Sequence, residues 1–154
     1  MYSITDSHSS SPAGEAFRPL TLIELLRWRA LNQPHQKAYT FLKDGETEEV
    51  SFTYEELDRR ARAIAVMLKA RGARGARALL LYPPGLEYVA AFFGCLYAEM
   101  VAVPAYPPDP SKFSRSLPRL HGIVTDAEAT VALTTETILS RTKLLFDESP
   151  LLKS

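Results

Sequence analysis

The sequence lacks most of the features by which a chemical function is read from one chain. Its only cysteine is Cys95, which excludes an internal disulfide framework and a multi-cysteine metal site and fits a reducing cytoplasm. Lys plus Arg and Asp plus Glu each number 18, so the zero net charge does not point to nucleic acid as a partner. No apolar run reaches the roughly 18–20 residues that a membrane-spanning helix needs. We therefore expect a cytoplasmic protein without a membrane span.

Catalytic motifs are missing as well. The chain contains no G-x-x-x-x-G-K-[ST], no G-x-G-x-x-G and no G-x-S-x-G pattern. Its three histidines, His8, His35 and His121, have no metal-ligand companion three or four residues away. Cys95 falls in an apolar segment, where a buried thiol is inert, and His121 is interpreted as a surface or helix-end residue. The sequence thus offers no catalytic, cofactor-binding or metal-binding residue.

What is present is an ordinary globular composition, with 46% hydrophobic and 23% charged residues. A chain of 154 residues supports one domain that buries roughly two-thirds of its unfolded surface. Residues 1–18 are rich in serine and show no periodicity, so they predict a flexible tail. Residues 19–154 predict the folded part.

Two helix starts can be recognised from capping boxes, in which a Thr and a Glu three residues later satisfy each other's backbone N–H groups. Thr21 with Glu24 predicts the first, and Thr53 with Glu56 predicts the second. The second helix is expected to end at Gly72 in a left-handed conformation.

The remaining pattern alternates strands and helices. The predicted elements are a helix at 20–32, strands at 37–42 and 50–53, the helix ending at Gly72, a strand at 77–82, a helix at 86–98, a strand at 101–105, a helix within 111–126, a strand at 130–134 and a helix at 136–146. Gly94 predicts close helix packing, and Pro118 either opens a helix or kinks a longer one. The alternation after residue 77 implies right-handed crossovers. The fold class is therefore α/β, layered, with a mostly parallel sheet, flanking helices and an N-terminal β-hairpin.

Two proline-rich segments leave the carboxyl ends of predicted strands, Tyr82-Pro83-Pro84-Gly85 and Tyr106-Pro107-Pro108. Open α/β sheets bind ligands at this edge. The same residues are also typical of plain chain reversals, and the sequence leaves both interpretations open.

An acidic block at 44–58 is followed directly by a basic one. The basic residues are Arg59, Arg60, Arg62, Lys69, Arg71, Arg74 and Arg77. They form either a face for a phosphate-bearing partner or a solvated helix surface, with acids near the helix N-terminus and bases near its C-terminus as the macrodipole favours.

Three segments give the chain a family resemblance. Residues 79–85 (LLLYPPG), 91–98 (AFFGCLYA) and 101–108 (VAVPAYPP) closely resemble the N-terminal part of fatty acyl-AMP ligases, a branch of the adenylate-forming, AMP-binding enzyme superfamily. Residues 51–57 (SFTYEEL) are similar to the superfamily's hairpin-to-helix entry, and 117–120 and 129–134 are similar to the ligase branch. The resemblance covers about residues 20–146.

The resemblance implies an incomplete N-terminal subdomain of an adenylation domain. Its parent enzyme would use ATP and Mg²⁺ to convert a fatty acid into an acyl-adenylate. It would then transfer the acyl group to an acyl carrier protein, often on a polyketide or peptide synthase line in lipid biosynthesis. The family's phosphate loop, nucleotide motifs and catalytic lysine match no residue here. We therefore expect this chain, whether truncated or excised, to be non-catalytic scaffold that binds the remainder of the domain.

One departure and two alternatives accompany that reading. Glu99 stands where the family has glycine, and because glutamate disfavours a positive φ we expect an altered helix-to-strand turn. The chain could instead be a non-enzymatic docking module whose basic residues bind an acidic carrier protein. It could also be a nonfunctional remnant with exposed apolar surface.

Overall fold

The computed structural model describes residues 18–140, so most of the predicted tail and the end of the last predicted helix lie outside the described residues. The elements in chain order are α1 (Leu22–Asn32), β1 (Lys37–Leu42), β2 (Glu48–Thr53), α2 (Tyr54–Lys69), β3 (Arg77–Leu81), α3 (Leu86–Tyr97), β4 (Val101–Ala105), a 3-10 turn (Pro110–Lys112), α4 (Phe113–Asp126) and β5 (Ala129–Thr134). Residues 136–140 are also helical. The predicted order of elements is confirmed.

The three later strands form a parallel sheet in the order β4-β3-β5. The central strand β3 reads Arg-Ala-Leu-Leu-Leu, and its middle residues are buried on both faces, as expected of a strand covered on two sides. Pro104 lies in β4 opposite Leu80. Since proline cannot donate to a ladder, an outer strand is where it fits. Strands β1 and β2 pair antiparallel as a separate hairpin. The predicted fold class is confirmed.

The second capping box is confirmed, whereas the first is only half formed. The backbone N–H of Glu56 donates to Thr53 Oγ1 at 3.2 Å, and the N–H of Thr53 donates to the Glu56 carboxylate at 2.9 Å. At α1 the N–H of Glu24 donates to Thr21 Oγ1 at 3.1 Å, but the Glu24 carboxylate accepts from Leu20. Thr21 is nevertheless the N-cap, so helix α1 begins at Leu22, two residues after the predicted bound of 20.

The end of α2 corrects the prediction made for Gly72. The helix ends at Lys69, with Ala70 as a right-handed cap, and the residue with a positive φ is Gly75, at 78°. A Cβ at Gly72 would lie 2.6 Å from Cε of Met100, the flexible end of a side chain that can move aside. The loop into β3 thus has its left-handed residue at Gly75 and not at Gly72.

The turn at Glu99 also overturns the expectation drawn from its side chain. Glu99 adopts φ 58°, the left-handed conformation that glycine favours. The N–H of Met100 donates to the Cys95 carbonyl and the N–H of Glu99 to the Leu96 carbonyl, which is the Schellman motif. A non-glycine residue costs roughly 1–2 kcal/mol in this conformation. The Glu99 carboxylate lies 2.5 Å from Arg74 Nε, and its carbonyl accepts from Gly75. These contacts hold the turn in place.

Helices α2 and α3 form the centre of the core. Gly94 faces α2 so closely that a Cβ would lie 2.6 Å from Ile64 Cγ2 and 3.3 Å from the Ala61 carbonyl oxygen. The prediction of close packing at Gly94 is confirmed. The core residues contributed by the two helices are Leu57, Ala61, Ala65, Leu68, Leu86, Ala90, Ala91, Phe93, Gly94, Cys95 and Tyr97.

A polar link also joins these helices. The Tyr97 hydroxyl donates to the Asp58 carboxylate, and Arg27 of α1 lies over the Tyr97 ring at 5.1 Å from its centroid. The pKa of Tyr97 is raised to about 12, mainly by burial and to a smaller extent by the hydrogen bond to Asp58. Arg62 approaches the same carboxylate at 3.6 Å. The Tyr97 hydroxyl therefore gives the half-buried Asp58 carboxylate a hydrogen-bond donor at the contact of α1, α2 and α3.

Helix α4 is peripheral by comparison. Pro118 lies at its sixth position, inside a continuous helix rather than at its start. Wherever side-chain exposure in α4 is described, no residue is buried. Its apolar residues Leu117, Leu120, Ile123 and Val124 stay half-buried.

Candidate functional site

The two proline-rich segments meet at the carboxyl edge of the sheet. Together with strand β1 they enclose an open cavity of about 520 Å³, which we call the tyrosine–proline cavity. Residues at its wall include Tyr39, Phe41, Tyr82, Pro84, Tyr88 and Tyr106. The segments therefore border a concave surface at the edge where open α/β sheets bind ligands.

Parallel pairing brings the two segments together. Leu81 of β3 lies opposite Ala105 of β4, so the residues that follow each strand emerge side by side. Gly85 then starts α3 with φ 158° and ψ 179°, a backbone region essentially restricted to glycine. Helix α3 begins at the next residue, Leu86, which also lines the cavity.

The cavity is suited to apolar contact rather than to proton transfer. Its tyrosines and prolines present ring faces, and its polar groups are mainly tyrosine hydroxyls and backbone groups. Burial raises the pKa of Tyr82, with smaller contributions from Cys95 and Glu87, so its hydroxyl stays protonated at neutral pH. A neutral phenol can donate a hydrogen bond but cannot act as a base.

The surroundings of Cys95, His35 and His121 agree with the prediction that none of them is catalytic. Cys95 is fully buried, and burial raises the pKa of its thiol to about 11, so it is neither accessible nor ionised at neutral pH. His121 lies exposed on α4, and His35 is exposed with its Nδ1 4.0 Å from the Glu55 carboxylate. His8 lies outside the described residues. Within residues 18–140, no three His, Cys, Asp or Glu side chains are grouped to hold a metal ion.

Four arginines of the basic block have partners within the fold: Arg60 over the Phe52 ring, Arg62 with Asp58, Arg74 with Glu99 and Arg77 with Glu128. These partners lie in different parts of the chain. The interpretation as a solvated helix surface is therefore favoured over a single basic face.

Sequence reasoning missed two features of the site. One is strand β1, whose Tyr39 and Phe41 close a side of the tyrosine–proline cavity although they lie some 40 residues before its loops in the chain. The other is a second cavity, which lies between α4 and the carboxyl end of β4. The alternation of Tyr39 and Phe41 in β1 could have indicated that one face of the hairpin is covered, but not by what.

Comparisons with known proteins agree on one family. A family model described as AMP-binding enzyme matches residues 26–152. Medium-chain-fatty-acid–[acyl-carrier-protein] ligase JamA of Moorena producens is 58% identical over 114 residues, 74% of this chain and 19% of that protein. Human Disco-interacting protein 2 homolog B is 36% identical over 120 residues, 77% of this chain and 8% of that protein.

Solved structures give the same answer. The fatty acid AMP ligase from Legionella pneumophila matches with a TM-score of 0.69 and 43% identity, over 77% of this chain and 20% of that one. A fatty acyl-adenylate ligase from the same organism, in complex with acyl adenylate and pyrophosphate, matches with a TM-score of 0.69 and 44% identity over the same shares. The chain thus spans about a fifth of each of the three ligases, in their N-terminal part, and 8% of the human protein. Along residues 18–140 no helix has the length and apolar character needed to cross a bilayer.

Proposed function

Because the chain belongs to the AMP-binding enzyme family and matches the N-terminal part of fatty acyl-AMP ligases, we propose that it works as part of such a ligase. That enzyme would activate a fatty acid with ATP as an acyl-adenylate and transfer the acyl group to an acyl carrier protein in the cytoplasm. The observation that carries the proposal is the 58% identity to a ligase whose name specifies a medium-chain fatty acid and a carrier protein.

Within that enzyme, the described residues would serve as scaffold. The tyrosine–proline cavity is apolar and open, and Tyr106 at its rim is 78% exposed. Aromatic surface of this kind is stabilised when another part of a protein covers it. We infer that the remainder of the adenylation domain packs against this edge of the sheet.

ATP and Mg²⁺ are the cofactors proposed for the whole ligase. Among residues 18–140, no three His, Cys, Asp or Glu side chains are grouped where they could hold a metal ion. We therefore assign no step through the metal to this chain. Its contribution is to hold the two proline-rich loops in a set geometry, and the chemistry would belong to residues of the remaining domain.

A chimera tests the ligase assignment. Residues 20–140 of this chain would replace the homologous stretch of the Moorena ligase, and exchange between ATP and pyrophosphate would be measured with and without a medium-chain fatty acid. We expect the chimera to keep fatty-acid-dependent exchange. A folded chimera without exchange, or one that responds to another class of acid, would contradict the assignment.

Two controls separate scaffold from catalysis. The chimera carrying Gly94→Val should lose activity through misfolding, because a side chain there meets Ile64 and the α2 backbone. The 154-residue chain assayed alone should show no fatty-acid-dependent exchange. Clear exchange by the purified chain would refute the scaffold role while leaving the family assignment intact.

A further inference from the structure

Two left-handed turns lie at the amino edge of the parallel sheet, and both have glutamate where glycine is favoured. Glu99 has φ 58° and Glu128 has φ 49°, and within residues 18–140 these are the residues other than glycine with a positive φ. Each follows the residue that caps a helix, Ala98 after α3 and Ala127 after α4, and each leads into a strand. Because an L-residue is disfavoured in this conformation, both turns need a stabilising contact.

Each glutamate pairs with an arginine at the start of the central strand. Arg74 Nε lies 2.5 Å from the Glu99 carboxylate, and the Arg77 guanidinium donates to the Glu128 carboxylate at 3.1 Å. Arg77 is the first residue of β3, and β3 lies between β4 and β5. One pair therefore joins the entry of β4 to the central strand, and the other joins the entry of β5 to it.

Backbone hydrogen bonds close both turns but do not account for the glutamates. The N–H groups of Met100 and Glu128 each donate to a carbonyl of the preceding helix, at 2.9 and 3.2 Å. Glycine could make the same hydrogen bonds without the conformational cost. What glutamate adds is a carboxylate for the neighbouring arginine. Since all four side chains of the two pairs are substantially exposed, this attraction is sensitive to salt.

We propose that these two arginine–glutamate pairs, which we call the amino-edge latch, hold the entries of β4 and β5 against β3 and loosen as ionic strength rises. Salt screens exposed charges, whereas the buried core is affected far less. The two turns should therefore open locally under conditions in which the core stays closed. Both pairs join residues of this chain, so the latch requires no partner and does not rest on the proposed ligase function.

Hydrogen exchange of single amides, followed by NMR on the 154-residue chain, tests the latch. The chain is compared at about 0.01 M and about 1 M salt, where charges are screened beyond roughly 30 Å and 3 Å. At high salt we expect the amides of Met100 and Glu128 to exchange roughly two- to fivefold faster. The Gln33 amide, which closes α1 on the Arg29 carbonyl, should keep its rate. Equal changes at all three amides, or no change at Met100 and Glu128, would overturn the proposal.

Arginine variants assign each pair to its own turn. At low salt, Arg74→Gln should raise the exchange rate of the Met100 amide to its high-salt value and leave the Glu128 amide unchanged. Arg77→Gln should have the converse effect. Arg71→Gln is the matched control and should change neither amide, because the Arg71 guanidinium donates to a backbone carbonyl of α2. Faster exchange in the control variant, or unchanged exchange in the other two, would overturn the proposal.

A glycine variant separates the latch from a general change in stability. Glu99→Gly removes the carboxylate together with the conformational cost, so the exchange of the Met100 amide should lose its salt dependence. In an Arg74→Gln background the same change should slow that exchange, because a left-handed glutamate without its partner is replaced by the residue that favours the turn. Faster exchange in this background would overturn the proposal. Circular dichroism confirms that each variant is folded.

Discussion

Helices α3 and α4 differ in both sequence and burial. Helix α3 (LEYVAAFFGCLY) is apolar nearly all round, whereas α4 (FSRSLPRLHGIVTD) mixes apolar with polar and charged residues. Seven residues of α3 are buried, whereas no residue of α4 is buried wherever its exposure is described. Both helices connect parallel strands, so topology does not explain the difference. Their neighbours differ as well: Gly94 of α3 packs against Ile64 of α2, whereas no described residue of α4 belongs to the buried core or packs against it.

The difference shows that a helix apolar on nearly all sides is buried, whereas a single apolar face leaves α4 half-buried. Ala61 and Ala65 of α2 and Ala90, Ala91 and Gly94 of α3 are buried, and such small side chains let two backbones approach closely. The apolar residues of α4 are larger and half-buried, and its arginines are exposed. If this contrast is correct, equal substitutions in the two regions should have unequal effects on stability.

The largest difference is expected from leucine truncation. Leu68→Ala removes a fully buried side chain of α2 and should lower the free energy of unfolding by about 2–5 kcal/mol, since a cavity remains. Leu120→Ala on α4 removes a half-buried one and should cost clearly less. Urea denaturation followed by circular dichroism measures both. Equal losses would mean that the two regions are equally packed.

Gly94→Ala sharpens the comparison at the helix crossing. The added methyl would lie 2.6 Å from Ile64 Cγ2, so the helices must separate, at a cost of about 1–3 kcal/mol. The same urea experiment reads the change. An unchanged or raised midpoint would show that α2 and α3 tolerate separation, and the contrast with α4 would fail.

Tyr97→Phe tests the polar part of the same contact. Losing the hydrogen bond to Asp58 should cost about 1–2 kcal/mol at neutral pH, because a half-buried carboxylate loses its donor. Tyr106→Phe is the matched control, since that tyrosine is exposed. If both variants have the same stability, the hydrogen bond contributes nothing measurable.

The same residue predicts an alkaline limit to stability. Because the pKa of Tyr97 is about 12 in the fold and 10.0 ordinarily, the folded state keeps this proton longer than the unfolded state. The resulting stability is fully present below pH 10 and is lost as pH rises toward 12. Burial of Cys95 raises its pKa from 9.0 to about 11, which adds a loss from pH 9. In a shared Cys95→Ala background, Tyr97→Phe should flatten the profile above pH 10, and an unaltered slope would contradict this.

The smallest effect, of opposite sign, is expected at Gly122 on α4. A Cβ added there meets nothing within 4 Å, so Gly122→Ala should stabilise the protein by roughly 0.5–1 kcal/mol through helix propensity alone. Thermal unfolding of the Gly122→Ala variant, compared with that of the Gly94→Ala variant, tests this. If Gly122→Ala instead destabilised the protein, other residues would have to pack against α4 at this position. The contrast between the two helices would then fail.

Much of the fold was predictable because local signals were strong. The Thr53–Glu56 capping box, the apolar run of β3 and the proline-rich strand exits each depend on neighbours within a few residues. Gly72 and Glu99 were misread for the opposite reason. The left-handed residue after α2 is Gly75, whose N–H donates to the Glu99 carbonyl, and the Glu99 carboxylate pairs with Arg74, contacts that no local pattern contains.

The candidate site, too, could be predicted from the sequence only in part. Its two Tyr-Pro-Pro segments were visible as strand exits, but strand β1 as a wall of the cavity was not, because hairpin and sheet meet only in three dimensions. The second cavity was missed because Lys112, Arg115 and Arg119 look like ordinary surface charges until β4 is placed beside them.

The amino-acid order alone determined which segments are helices and strands, that the later strands run parallel and which family the motifs resemble, since these follow from short-range periodicity, capping and topology. Tertiary structure alone decided which arginines pair with which acids and where the cavities lie. Those outcomes depend on distances between residues far apart in the chain, and these become defined only when the helices and strands pack together.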